Sequence, residues 1–116
     1  MKLRILGNSL RLRLSQSEVD QIGQGKAVEV SIDFPKSKLT YRLATSDSDE
    51  IQADYCENRI SVELPNALAQ SWANSNEVCI KGEYEGLTLL IEKDFKCLTD
   101  RDENESDLFA NPNSVC

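Results

Sequence analysis

The chain is 116 residues long, carries a formal net charge of −7 and contains no histidine, with 40% apolar and 28% charged residues. That size and balance fit one domain able to bury its own core rather than a disordered chain. The missing imidazole excludes Ser-His-Asp and Cys-His catalysis, imidazole proton transfer and most catalytic zinc sites.

No apolar run approaches the roughly 20 residues that span a bilayer. Met1-Lys2-Leu3-Arg4-Ile5 alternates charged with apolar side chains instead of forming a signal-peptide core. A cytoplasmic protein with no membrane partner is expected. The cysteines, Cys56, Cys79, Cys97 and Cys116, include no C-x-x-C pair, so free thiols in a reducing compartment are expected. Cys79 lies in an apolar strand pattern and reads as a small buried hydrophobe. Charge is unevenly placed: residues 1–45 hold eight Lys and Arg against four acids, whereas residues 46–116 hold five against sixteen.

In chain order, Leu3 and Ile5 alternate with Lys2 and Arg4, Gly7-Asn8 supplies a turn, and Leu10, Leu12 and Leu14 alternate with Arg11 and Arg13. Strand, turn and strand follow. Ser15-Gln16-Ser17-Glu18 is a capping box, Val19 and Ile22 lie three apart, and Gly23 and Gly25 offer helix-ending conformations. Two strands are predicted next, Ala27 to Phe34 and Leu39 to Leu43, joined through Pro35-Lys36-Ser37. Thr45 to Glu50 reads as a polar loop. Beyond it, Arg59 to Leu64 alternates as a strand, Pro65-Asn66 opens a helix carrying Leu68 and Trp72, and Asn74 and Asn76 close it. Val78 and Ile80 begin a strand, residues 82–86 turn the chain, and Leu87 to Ile91 forms the last strand.

The two halves repeat at an offset of 50 residues, which matches Leu14 with Leu64, Ile22 with Trp72, Val28 with Val78 and Val30 with Ile80. Units of about 45 residues cannot each bury an apolar face alone, so two copies would close around a shared core. The expected fold is α+β, mostly β: a pseudo-two-fold small barrel from two strand-helix-strand-strand units. Residues 1–96 form the single domain, with repeats at about 2–44 and 51–95, and 97–116 form an acidic, flexible tail.

Gly7-Asn8-Ser9-Leu10-Arg11-Leu12-Arg13-Leu14-Ser15, followed by a short helix and a strand pair, resembles the swapped-hairpin fold of AbrB and MazE type proteins. Ile60-Ser61-Val62-Glu63-Leu64-Pro65-Asn66-Ala67-Leu68 resembles that family's strand-Leu-Pro-helix step. The resemblance implies that both units, which in that family come from two chains and usually bind DNA, sit here in one chain as a monomeric pseudo-dimer. The whole chain also resembles a family of uncharacterised bacterial proteins that share the Gly-Asn-Ser-Leu-Arg start and an acidic C-terminal segment. That likeness names no activity.

With Leu10, Leu12 and Leu14 facing inward, Arg11 and Arg13 project outward with Lys2, Arg4 and Asn8 nearby, which makes Arg4, Asn8, Arg11 and Arg13 the candidate binding face. The second half offers Arg59, Ser61 and Glu63 there. DNA affinity comes largely from neutralised phosphates, so the acidic second half disfavours a duplex, and an unidentified protein partner is the first expectation. A DNA-binding regulator or antitoxin is the alternative.

Asp100 to Asp107 contains five carboxylates and one Arg, with Leu108 and Phe109 beyond them available to hold the tail or engage a partner. Asp100, Asp102, Asn104 and Ser106 occupy positions 1, 3, 5 and 7 of a calcium loop and are the candidate metal ligands. Glu105 stands where Gly is needed and Asn111 where a bidentate Glu is needed, so only weak divalent binding is expected. No cofactor and no enzymatic activity are expected, because no nucleotide cradle or set of catalytic groups appears at a useful spacing.

Overall fold

Alternating leucines, a glycine turn and a capped helix build the first part of the molecule. In the computed structural model, which describes residues 1–95, β1 (Lys2–Leu6) and β2 (Ser9–Leu14) form an antiparallel hairpin through Gly7, held at φ +55°. Residues 96–116, with the expected tail and the calcium-loop positions, lie outside the described residues. Leu12 and Leu14 are buried, and α1 (Gln16–Gly23) starts at a complete capping box between Ser15 and Glu18. The Ser15 side chain accepts from the Glu18 amide, and the Glu18 carboxylate accepts from the Ser15 amide at 2.9 Å. That reciprocity satisfies two amides that a helix start otherwise leaves open.

The chain continues through β3 (Val28–Asp33), β4 (Lys38–Ser46), β5 (Gln52–Cys56), β6 (Arg59–Pro65), α2 (Asn66–Ala73), β7 (Cys79–Tyr84) and β8 (Leu87–Lys93). Four strands in the order β1-β2-β8-β7 make one sheet, and β3-β4-β6-β5 make the other. Each sheet joins an antiparallel hairpin from the first half to one from the second through a central parallel pair, β2 with β8 and β4 with β6. One apolar cluster unites the sheets and helices, including Leu12, Leu14, Ile22, Leu43, Leu64, Trp72, Leu89 and Ile91. Each of these side chains is at most 2% exposed, and burying one contributes about 2 kcal/mol.

The fold is α+β and mostly strand, but the expected barrel does not close. Each sheet keeps two edge strands, and β5 and β7 approach one another without a ladder. Ile51 sits against Gly82 so closely that a Cβ on that glycine would collide with its side chain, which puts an apolar wedge where a closing strand pair would have to lie. Gly82 therefore belongs to β7, and the turn between β7 and β8 shrinks to Glu85 and Gly86, both at positive φ.

Other local expectations change with packing. Strand β5 forms at Gln52–Cys56, where the sequence pattern predicts no strand. Buried Ala69, not half-exposed Leu68, accompanies Trp72 on the inner face of α2. Gly23 is helical, and Gly25, at φ +81°, is the glycine with left-handed geometry after α1. Register shows an offset of 50 between β1–β2 and β5–β6, as in Lys2 with Arg13 and Gln52 with Glu63. Buried Val28 corresponds by register to buried Ile80 rather than to exposed Val78, because the chain between α2 and β7 is longer.

Candidate functional site

The predicted cations do come together. Antiparallel register sets Lys2 opposite Arg13 and Arg4 opposite Arg11, and directly opposed residues share a face, so all four stand on the outer side of the first sheet. Parallel pairing then brings Glu92 of β8 beside Arg13. Arg13 Nε donates to Glu92 Oε1 at 3.1 Å, Arg11 Nε lies 3.5 Å from Glu92 Oε2, and Lys2 Nζ lies 2.8 Å from Asp94 Oδ2. Much of the basic stripe is thus matched from within the molecule. Seventy-nine residues separate Arg13 from Glu92, so no local spacing could have announced the pair.

Asn8 has a structural duty. Its Nδ2 donates to the Gly86 carbonyl at 2.7 Å, and its own carbonyl accepts from the Thr88 amide at 3.1 Å, which ties the β1–β2 turn to the β7–β8 turn. Asn58 holds the other sheet in the same way, accepting from the Thr40 amide at 3.0 Å. Cys79 is half-buried opposite Glu92, and burial first, then the Glu92 charge, push its thiol pKa up against the pull of Arg11 and Lys81.

Asp47, within the Thr45 to Glu50 stretch expected as a polar loop, accepts from Asn66 Nδ2 at 2.8 Å where α2 begins. Since Pro65 offers no side-chain cap to that helix, the contact anchors the loop to its first turn. Among the described residues, no group of three or more His, Cys, Asp or Glu side chains is placed to hold a metal ion, and no charged residue is buried.

A concave, mainly apolar feature lies elsewhere. The central strands β2, β4, β6 and β8 all begin at one end of the molecule, away from the helices that follow β2 and β6. Between these strand starts an open cleft of about 560 Å³ is lined by Leu10 and Leu87 from one sheet and Leu39 and Ile60 from the other. Ile5 and Tyr55 stand exposed on opposite lips, and Asn8, Ser9 and Asp54 supply polar edges. Ile22 and Trp72 fill the interior at the helix end, and among the described residues no helix covers the other end.

Comparison with known proteins matches a family model over residues 1–113. The chain belongs to a family of unknown function, DUF7009. No curated protein and no solved structure matches it. For this DUF7009 chain, the matched region takes in both sheets, the basic face and the cleft. Among the described residues, no helix is long and apolar enough to cross a membrane.

Proposed function

We propose that this protein is a small, non-enzymatic binding module that holds an apolar segment of a partner protein in the cleft between its sheets. The carrying observation is that cleft: aliphatic walls, an open mouth and exposed Ile5 and Tyr55 at its lips are the features of a surface that gains by covering apolar area. The sequence has no imidazole, and no acidic or basic side chain is buried among the described residues. Cytoplasmic residence and a monomeric state belong to the same reading.

We further read the two halves as copies of one unit arranged as a swapped-hairpin pseudo-dimer, in the manner of AbrB and MazE type chains. Supporting this are the equal registers of β1–β2 and β5–β6, the paired carbonyl contacts of Asn8 and Asn58, and the meeting of Gly23 with Ala73, residues 50 apart, at the helix contact. On that reading the cleft lies on the internal two-fold, with Leu10 related to Ile60 and Leu39 to Leu87. DNA binding is the weaker alternative, because Glu92 already engages Arg11 and Arg13 and the corresponding strand of the other half carries Ser61 and Glu63.

Selection of a random peptide library on the immobilised protein, counter-screened with a Leu39→Ser, Leu87→Ser variant whose fold is checked by circular dichroism, tests the module. Enrichment of peptides anchored by aliphatic or aromatic residues, lost on the variant, supports it. Failure to enrich any such peptide, or enrichment indifferent to the cleft substitutions, overturns it. Sedimentation at micromolar concentration should give a monomer.

A further inference from the structure

We propose that the partner segment held in the cleft is a basic one, with lysine or arginine immediately beside its apolar anchors, and that these cations settle at the Tyr55 lip against Asp54, Glu50 and Glu85. The inference deepens the binding-module reading and rests on the same cleft. It starts from a difference between two lips that are otherwise alike. The 50-residue offset in register sets Ile5 and Tyr55 at corresponding places on β1 and β5, opposite Leu10 and Ile60 of the neighbouring strands. The same offset sets Arg4 beside Ile5 but Asp54 beside Tyr55. One lip therefore carries a cation and the other a carboxylate.

Among the described residues that line the cleft, Asp54 alone is charged. It is exposed, as are Glu50 and Glu85, and among the described residues none of the three is paired with a cation. All three act on one ring. Tyr84 ends β7 opposite Leu87, a wall of the cleft, and the Glu85 charge first, then desolvation, with the charges of Glu50 and Asp54, push its phenol pKa up. At the end of β3, by contrast, Asp33 already has Lys38 Nζ at 4.0 Å. The unmet negative charge at the mouth thus gathers on the β5 and β7 side. A cation docked there meets both the carboxylates and the ring of Tyr55, which is 65% exposed. Exposed ion pairs are each worth little, so these carboxylates select the segment and its direction across the cleft, while covering Leu10, Leu39, Ile60 and Leu87 supplies the affinity.

The random-library selection on the full chain, repeated on Asp54→Asn, Glu85→Gln, tests the choice. Among peptides that the Leu39→Ser, Leu87→Ser variant fails to capture, lysine or arginine should adjoin the apolar anchors several-fold more often than in the input library. That excess should disappear on Asp54→Asn, Glu85→Gln, while capture of uncharged apolar peptides persists. By fluorescence anisotropy, a recovered basic peptide should lose affinity several-fold between about 0.05 and about 0.5 M NaCl. Cleft-dependent peptides with no excess of basic residues overturn the inference and leave the module intact. A basic excess that survives Asp54→Asn, Glu85→Gln overturns it too, because the net charge of −7 then governs capture. Basic peptides held equally by the Leu39→Ser, Leu87→Ser variant remove both readings. A dimer at micromolar concentration that dissociates on those cleft substitutions makes a second copy the occupant and overturns the basic segment.

Discussion

Gly23 of α1 stands so close to Ala73 of α2 that a Cβ built on the glycine would lie 2.7 Å from the alanine methyl. Helical propensity favours alanine over glycine by about 1 kcal/mol, and φ at this position is not left-handed, so local rules alone say that Gly23→Ala stabilises. Packing reverses the sign. Overfilling a tight contact costs about 1–3 kcal/mol, which should leave the variant less stable than wild type by about 1 kcal/mol. Adding Ala73→Gly should recover part of that loss, and a double-mutant cycle from urea unfolding would measure the coupling.

A second prediction concerns the only tryptophan. Trp72 is 1% exposed, its indole N–H has no partner, and Lys93 Nζ lies 5.5 Å from the ring centroid while donating to the Ser75 carbonyl at 2.7 Å. Lys93→Met keeps the aliphatic stem and removes both polar contacts. A loss of about 1 kcal/mol is expected from the cation–π and hydrogen-bond terms together. Trp72 emission reports the unfolding directly, and an unchanged midpoint would show that the ammonium adds nothing to this end of the core.

These two contacts mark what the sequence could and could not disclose. The leucine alternation of β2 and the Ser15–Glu18 box are local signals, and both elements form where the pattern places them. Strand β5 escaped because its residues run Gln52-Ala53-Asp54-Tyr55-Cys56, where the inward position is only an alanine and the aromatic stands exposed on the cleft lip. The four cations of the first hairpin are visible as a stripe, yet the carboxylate that meets two of them, Arg11 and Arg13, arrives on a parallel strand from the far half. The cleft was invisible for a related reason. Leu10, Leu39, Ile60 and Leu87 each read as ordinary core residues, and the space between them follows from the placement of both described helices at the other end of the sandwich.

Glu18 gives a pH dependence with a definite sign. Partial burial pushes its carboxyl pKa up, but hydrogen bonds from the Met1 ammonium and the Ser15 amide, with the charge of that ammonium, outweigh it and hold the group below the ordinary 4.5. A carboxylate depressed in the folded state contributes stability above its unfolded pKa and loses it as pH falls through the folded one. Glu18→Gln should therefore be less stable than wild type at pH 7, and the gap should narrow steadily below about pH 4.5. Thermal melts of both chains from pH 7 to pH 3 would check it; a gap that stays constant over that range would contradict the assigned cause.

Glu92 links the basic face to a thiol, and its removal should be read at both. Arg11 and Arg13 are partly exposed, so Glu92→Gln should cost no more than about 1 kcal/mol. Two guanidinium groups lose their carboxylate, and weak, sequence-independent retention of duplex DNA should increase at low ionic strength and vanish by physiological salt. At Cys79 the same change removes one of the influences that raise the thiol pKa and leaves Arg11 and Lys81 acting in the opposite direction. Its thiolate fraction at pH 8 should rise, although burial, the larger cause, remains. Alkylation by iodoacetamide, mapped by peptide mass spectrometry with exposed Cys56 as the internal reference, should show Cys79 reacting slowly in wild type and several-fold faster in the variant. Equal Cys79 rates in the two chains would mean that burial alone governs that thiol and that the charge of Glu92 is spent on the arginines.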